Sequence, residues 1–119
     1  MNVEIEEITL PAKAEVKVDV SVTAQVNVTD ATAQRQVSRL LLEQVGNLLY
    51  AERPSLVVGR RLLWRVPVWL GQPTTGPLGQ VGTLDVDVQT GEILYTQPLL
   101  DEIADRGNAL AERTAPDAV

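Results

Sequence analysis

Val16, Val18, Val20, Val22, Ala24, Val26 and Val28 occupy every second position of one stretch, and Glu15, Lys17, Asp19, Ser21, Thr23, Gln25 and Asn27 fill the gaps. A period of two puts alternate side chains on opposite faces of a strand, so the pattern predicts a long strand over 15–28 with one dry and one wet face. It exceeds the usual length of about five or six residues. A strand of this length bends around a core or pairs beyond its own domain. Upstream, Val3, Ile5, Ile8 and Leu10 predict a short strand within 2–10, ended by Pro11.

The period then changes. Val37, Leu40, Leu41, Val45, Leu48 and Leu49 recur every three or four residues, which makes one apolar stripe along a helix. Asp30 is placed to cap its N-terminus by accepting from free first-turn amides. The stripe carries the helix to about Glu52, and Pro54 stops it. Arg35, Arg39, Glu43 and Asn47 lie off the stripe.

Alternation returns over 56–70. Leu62, Trp64, Val66, Val68 and Leu70 share one face of the expected strand, and Arg61, Leu63, Arg65, Pro67 and Trp69 share the other. Pro67 has no amide hydrogen for a ladder, so an edge position or a bulge is expected there. Residues 71–79, Gly-Gln-Pro-Thr-Thr-Gly-Pro-Leu-Gly, read as a loop. A strand over 80–88 follows, with Leu84, Val86 and Val88 inward and Asp85 and Asp87 outward. Gln89-Thr90-Gly91 reads as a turn with Gly91 left-handed, and 92–96 as the returning strand. After Pro98 a helix to about Arg113 presents Leu99, Ile103, Gly107 and Leu110 on one side. Asp101 and Glu102 suit its N-terminal end and Arg113 its C-terminal end.

These elements predict one α+β domain over 1–113 with a tail over 114–119. Its order is β-α-β-β-β-α: an antiparallel sheet of about four strands, a long helix on one face, and a C-terminal helix. Pairing the strands over 60–70 and 80–88 with their apolar faces matched requires partner numbers that add to an even value near 150. Arg65 then stands opposite Asp85 or Asp87, with Arg61 near the same acids. Opposite charges across a sheet contribute roughly 0.2–1 kcal/mol per pair.

Composition narrows the chemistry. The 119 residues include no Cys and no His, so disulfides, thiolate nucleophiles and imidazole bases are excluded, and zinc and transition-metal sites lose their usual ligands. Phe is also absent, and Trp64, Trp69, Tyr50 and Tyr95 are the only aromatics, which makes the core aliphatic. Ser21, Ser38 and Ser55 have no His or suitably placed Lys to activate them. Asp85-Val86-Asp87-Val88 matches four residues of the D-x-D start of haloacid dehalogenase phosphatases, but no Lys follows it to meet a phosphate. Asp85, Asp87, Gly91 and Glu92 lack the spacing of a calcium loop, and the glycine-rich loop lacks G-K-[ST]. No catalytic residue, metal site or cofactor is expected.

The net charge of −6 is uneven: −4 over 1–30, +4 over 31–70 and −6 over 71–119. The basic middle either neutralises its acidic flanks or forms an arginine patch for an anion. Overall acidity argues against nucleic acid, which is bound by a basic face. No apolar run approaches the roughly 20 residues of a membrane span. The acidic N-terminus has no basic and apolar leader pattern, so a cytoplasmic location is expected. Trp69, if exposed beside Arg65, has the character of a binding hot spot; the terminal helix or the valine-striped strand could equally cover it. Arg61, Arg65 and Trp69 are therefore the candidate binding residues.

The helix, Pro54, Trp64-Arg65-Val66-Pro67-Val68, and the run Asp87-Val88-Gln89-Thr90-Gly91-Glu92-Ile93 together resemble the PepSY domain over about 33–96. The resemblance implies a peptidase-inhibiting or interaction module without catalytic residues. The function expected overall is a non-enzymatic interaction or regulatory module binding a protein partner or itself as a homodimer. A small anionic-ligand domain, or a cytosolic antitoxin or inhibitor-like partner, is the alternative.

Overall fold

The computed structural model describes residues 2–5, 21, 23–46 and 48–114. Strand β1 (Asn2–Ile5) is followed by helix α1 (Asp30–Gln44) and strands β2 (Leu49–Ala51), β3 (Ser55–Val58), β4 (Leu62–Gln72), β5 (Gly76–Asp87) and β6 (Ile93–Leu94), then by helix α2 (Gln97–Thr114). Six strands form one mixed, open sheet in the order β1-β3-β4-β5-β6, with β2 also paired to β4. The fold is α+β as expected, but the sheet is larger than four antiparallel strands. Two local events account for the difference.

First, α1 ends at Gln44, not near Glu52. Val45 and Gly46 both donate to the Leu41 carbonyl, at 2.9 Å each, and the chain turns there. Glycine is a poor helix former at this point. Leu48 and Leu49 prolong the apolar stripe in sequence only; Leu49 opens β2, whose register is Leu49 opposite Leu70 and Ala51 opposite Val68. The cap also differs from the expectation. Thr29 takes the N-cap place and accepts from the Thr32 amide at 3.2 Å, while Asp30 sits in the first turn.

Second, the expected strand over 56–70 is broken at Gly59-Arg60-Arg61, and β3 folds back antiparallel on β4 with Val58 opposite Leu62. Both β2 and β3 flank the same edge of β4, offset from one another by one register step. They act as one strand bulged at Glu52-Arg53-Pro54. Pro67 faces this bulge. It lies in a central strand; its carbonyl accepts from the Glu52 amide at 2.9 Å, and the return bond from residue 67 to Glu52 is the one a proline cannot make. β1 joins β3 in parallel, which makes the sheet mixed.

β4 and β5 pair with partner numbers adding to 150 from Leu63–Asp87 to Val68–Gly82, after which two bulges shift the register. The expected loop over 71–79 is mostly strand: Gly71 faces Pro77, Gln72 faces Gly76, and the turn is only Pro73-Thr74-Thr75. Gly76, at φ 77°, supplies the left-handed residue that closes so short a turn.

Both helices pack on one face of the sheet. Ala33, Val37 and Leu41 of α1 and Leu100 and Ile103 of α2 meet Trp64, Val66, Val68 and Leu70 of β4 and Leu84 and Val86 of β5 in one buried cluster. The apolar face expected for each strand is thus the face the helices cover.

The valine-striped strand is the main expectation left open. Its residues 15–20 and 22 lie outside the described residues, as do 6–10 of the short first strand and 115–119 of the tail. Residues 23–28 are described and form no strand. Asn27 and Val28 both donate to the Val88 carbonyl, at 3.1 and 3.2 Å. Two successive amides on one acceptor are incompatible with a ladder, where successive amides point to opposite sides.

Close approach of α2 to β5 depends on Gly82. A Cβ there would lie 2.9 Å from Ile103 Cγ1, whereas one on Gly107 would meet Leu49 Cδ2 at 3.6 Å, an ordinary contact. Gly82→Ala is therefore expected to destabilise by about 1–3 kcal/mol through overpacking. Gly107→Ala is expected to stabilise by up to about 1 kcal/mol, because a helical glycine is replaced where space exists. Urea denaturation of the two variants checks this; shifts of the same sign would contradict the packing of α2 described here.

Candidate functional site

The face of the sheet away from the helices carries the charged residues. Asp85 and Asp87 alternate with core residues of β5, and Arg65 stands directly across from Asp85. Their contact is two-pronged: Arg65 Nε donates to Asp85 Oδ1 at 3.0 Å and Nη2 to Oδ2 at 3.3 Å. Arg65 Nη1 also reaches Glu4 Oε2 of β1 at 3.2 Å. A planar fork on a carboxylate is the strongest geometry available to such a pair. Arg65 therefore ties β1, β4 and β5 together.

Arg61 lies just before β4 and donates to Asp87 Oδ2 from Nη2 at 2.6 Å and from Nε at 3.1 Å. Asp87 is outward by alternation but only 5% exposed. The turn accounts for this. Its Oδ1 accepts from the backbone amides of Gln89 at 2.8 Å and Thr90 at 2.9 Å. Its own amide donates to Glu92 O at 2.9 Å, and its carbonyl accepts from Gly91 at 2.8 Å. Gly91 has φ 77°, the left-handed conformation expected for it. The Thr90 amide above all, then the Gln89 amide and the Arg61 guanidinium, hold the Asp87 carboxyl below the usual carboxylate range, against burial, which pushes the other way. The acids that resemble a phosphatase or calcium motif are used in building a hairpin. Among the described residues no three acidic side chains gather as a metal site.

Trp69 is half-buried, opposite Tyr50 of β2 and Gln80 of β5. It follows Arg65 by four residues along β4, roughly 13 Å away. The three candidate residues share a face of the sheet but do not converge on one pocket.

Two other features were not found by sequence reasoning. Arg60, in the β3–β4 turn, is exposed and makes no ion pair or hydrogen bond with any described residue. Together with Arg61, Thr23 and Gln89 it lines a depression of about 250 Å³. A lone turn arginine carries no periodic signal. The second feature lies at the opposite end of β4. Leu48, 40% exposed, lines two adjoining depressions. One, of about 250 Å³, is floored by Leu49 and Leu70 and walled by Val45, Ala104 and Ala111. The other, of about 340 Å³, is formed with Tyr50, Pro73 and Pro77. Leu42, one helical turn before Val45, is 62% exposed. Leu48 reads in sequence as part of the buried stripe, which concealed this surface.

No helix of the described residues is long and apolar enough to cross a membrane. No family model, curated protein or solved structure matches the chain.

Proposed function

We propose that the chain is a non-enzymatic interaction module that associates, with a protein partner or with a second copy of itself, through the surface around Leu48. The carrying observation is the apolar surface that runs from Val45 through Leu48 to Tyr50, Pro73 and Pro77, with exposed Leu42 one helical turn before Val45. Exposed apolar groups gathered in one place gain free energy by leaving water, at about 25 cal/mol per Å². The use of Arg61, Arg65, Asp85 and Asp87 on one another supports the same reading, since it assigns those charges an architectural role. The order of helix, hairpin and left-handed Gly91 is in keeping with the PepSY resemblance, and we keep that family as part of the proposal.

Sedimentation velocity over a wide concentration range tests the self-associating form. The wild type is expected to sediment faster as concentration rises, and a Leu42→Asp/Leu48→Asp variant to remain monomeric. A wild type that stays strictly monomeric overturns self-association. Affinity capture from the native host then tests the heterologous form, which fails if wild type and double variant retain the same proteins.

A further inference from the structure

We propose that the depression beside the β3–β4 turn is a binding site for a small phosphate-type oxyanion, held by Arg60 and Arg61. It lies at the other end of β4 from the apolar surface and is independent of it.

The charge balance comes first. Among the described residues the lining contains two guanidinium groups and one carboxylate, that of Asp87. Asp87 is already saturated by the Gln89 and Thr90 amides and by Arg61. Arg60 has no counter-charge among the described residues. Counted over the described residues, the concavity is therefore net positive on a chain whose net charge is −6. A cationic hollow in an acidic protein draws anions toward that point.

The donors come second. Arg61 spends Nε and one Nη2 hydrogen on Asp87. Counting bonds to the described residues, three of its five N–H groups remain for another acceptor, and all five of Arg60 remain. The pair with Asp87 also fixes the Arg61 guanidinium in place, which lowers the ordering cost of binding. The Thr23 hydroxyl and Gln89 amide, in the same lining, add neutral donors. Two guanidinium groups suit a tetrahedral dianion better than a carboxylate, because a tetrahedral ligand offers separate pairs of oxygens to separate forks. The volume of about 250 Å³ is several times the roughly 30 Å³ of one water, room for a phosphate and part of a small molecule attached to it.

The placement differs from the expectation of an anion site at Arg61, Arg65 and Trp69. Arg65 is engaged by Asp85 and Glu4, and Trp69 lies far along the strand. Arg61 alone carries over, with Arg60 as its partner.

The test is an amide-resolved NMR titration at constant ionic strength. Inorganic phosphate and glycerol 2-phosphate are titrated in separate arms, with acetate as control. Saturable shifts are expected at Gly59, Arg60, Arg61 and Gln89, with little from acetate. Tighter binding of glycerol 2-phosphate identifies a phosphomonoester ligand; equal binding identifies the free anion. Arg60→Gln is expected to weaken binding at least roughly tenfold, as loss of charged hydrogen bonds does. Arg53→Gln, an exposed arginine outside the depression, should leave it unchanged. Arg60 makes no hydrogen bond or ion pair with a described residue, and the same spectra report whether its variant is folded. Non-saturating shifts, shifts spread over all arginines, or an Arg60→Gln variant that binds like the wild type would each overturn the proposal.

Discussion

Replacing Asp87 by alanine is expected to lower the unfolding free energy by about 2–4 kcal/mol, because two turn amides lose their acceptor and each such loss costs roughly 1–3 kcal/mol. The amides are those of Gln89 and Thr90, both on Oδ1. The Arg61 pair adds less, since Arg61 is 54% exposed and its guanidinium can be rehydrated. Asp87→Asn separates the contributions. Its carbonyl oxygen can still accept the two amides, but its NH2 group faces a donor on Arg61, so a smaller loss is expected. The charge itself is read by pH. The folded carboxyl titrates below the usual range, because the Thr90 and Gln89 amides and Arg61 favour the ionised form. In the unfolded chain an aspartate titrates near about 3.9. The unfolded state therefore takes up the proton first as pH falls. The stabilisation is complete above about pH 4 and is lost as pH drops through the folded value. Urea denaturation of wild type and Asp87→Asn should show a gap at neutral pH that narrows below about pH 4. A gap of constant width would mean that the carboxylate charge contributes nothing to the hairpin.

The legible part of this fold is the part in which one period and one face dominate. β4 and β5 alternate cleanly, so the helix-covered face follows from matching apolar faces, and so does an acid opposite Arg65, Asp85 or Asp87, of which the structure selects Asp85. The match fails beyond Val68, where bulges shift the register and no residue type announces them. The end of α1 was hidden by coincidence: Leu48 and Leu49 continue a helical stripe from Leu41 and equally suit a chain that turns at Gly46 and starts a strand. Pro67 excluded an ordinary central strand, yet the sheet accommodates it by bulging the neighbouring edge at residues 52–54. For the site, sequence patterning located the acids and two arginines because they alternate with valines and leucines. It missed Arg60 because a solvent-facing turn residue belongs to no period. It missed Leu48 because an apolar residue at the right spacing reads as buried.

Trp64→Ala is expected to cost about 3–5 kcal/mol, the usual range for emptying a large aromatic site in a core. Trp64 is 4% exposed on the central strand, beneath the helices. Its indole also has a second task. Nε1 donates to the Val28 carbonyl at 2.7 Å and so holds the segment leading into α1 against the sheet. Trp64→Phe isolates that task, because a phenyl ring fills much of the space without a donor. A global loss smaller than that of the alanine variant is expected, including about 1 kcal/mol for the missing hydrogen bond. The more specific readout is hydrogen exchange. The amides of Asn27 and Val28 share the Val88 carbonyl, an arrangement that relies on Val28 being held close. In Trp64→Phe these two amides should lose protection while those of α2 around Ile103 keep theirs. If Asn27 and Val28 exchange as slowly as in the wild type, the indole is core filling and Val88 alone holds the segment. Selective loss there would identify Trp64 as the residue that couples the approach to α1 to the core of the sheet.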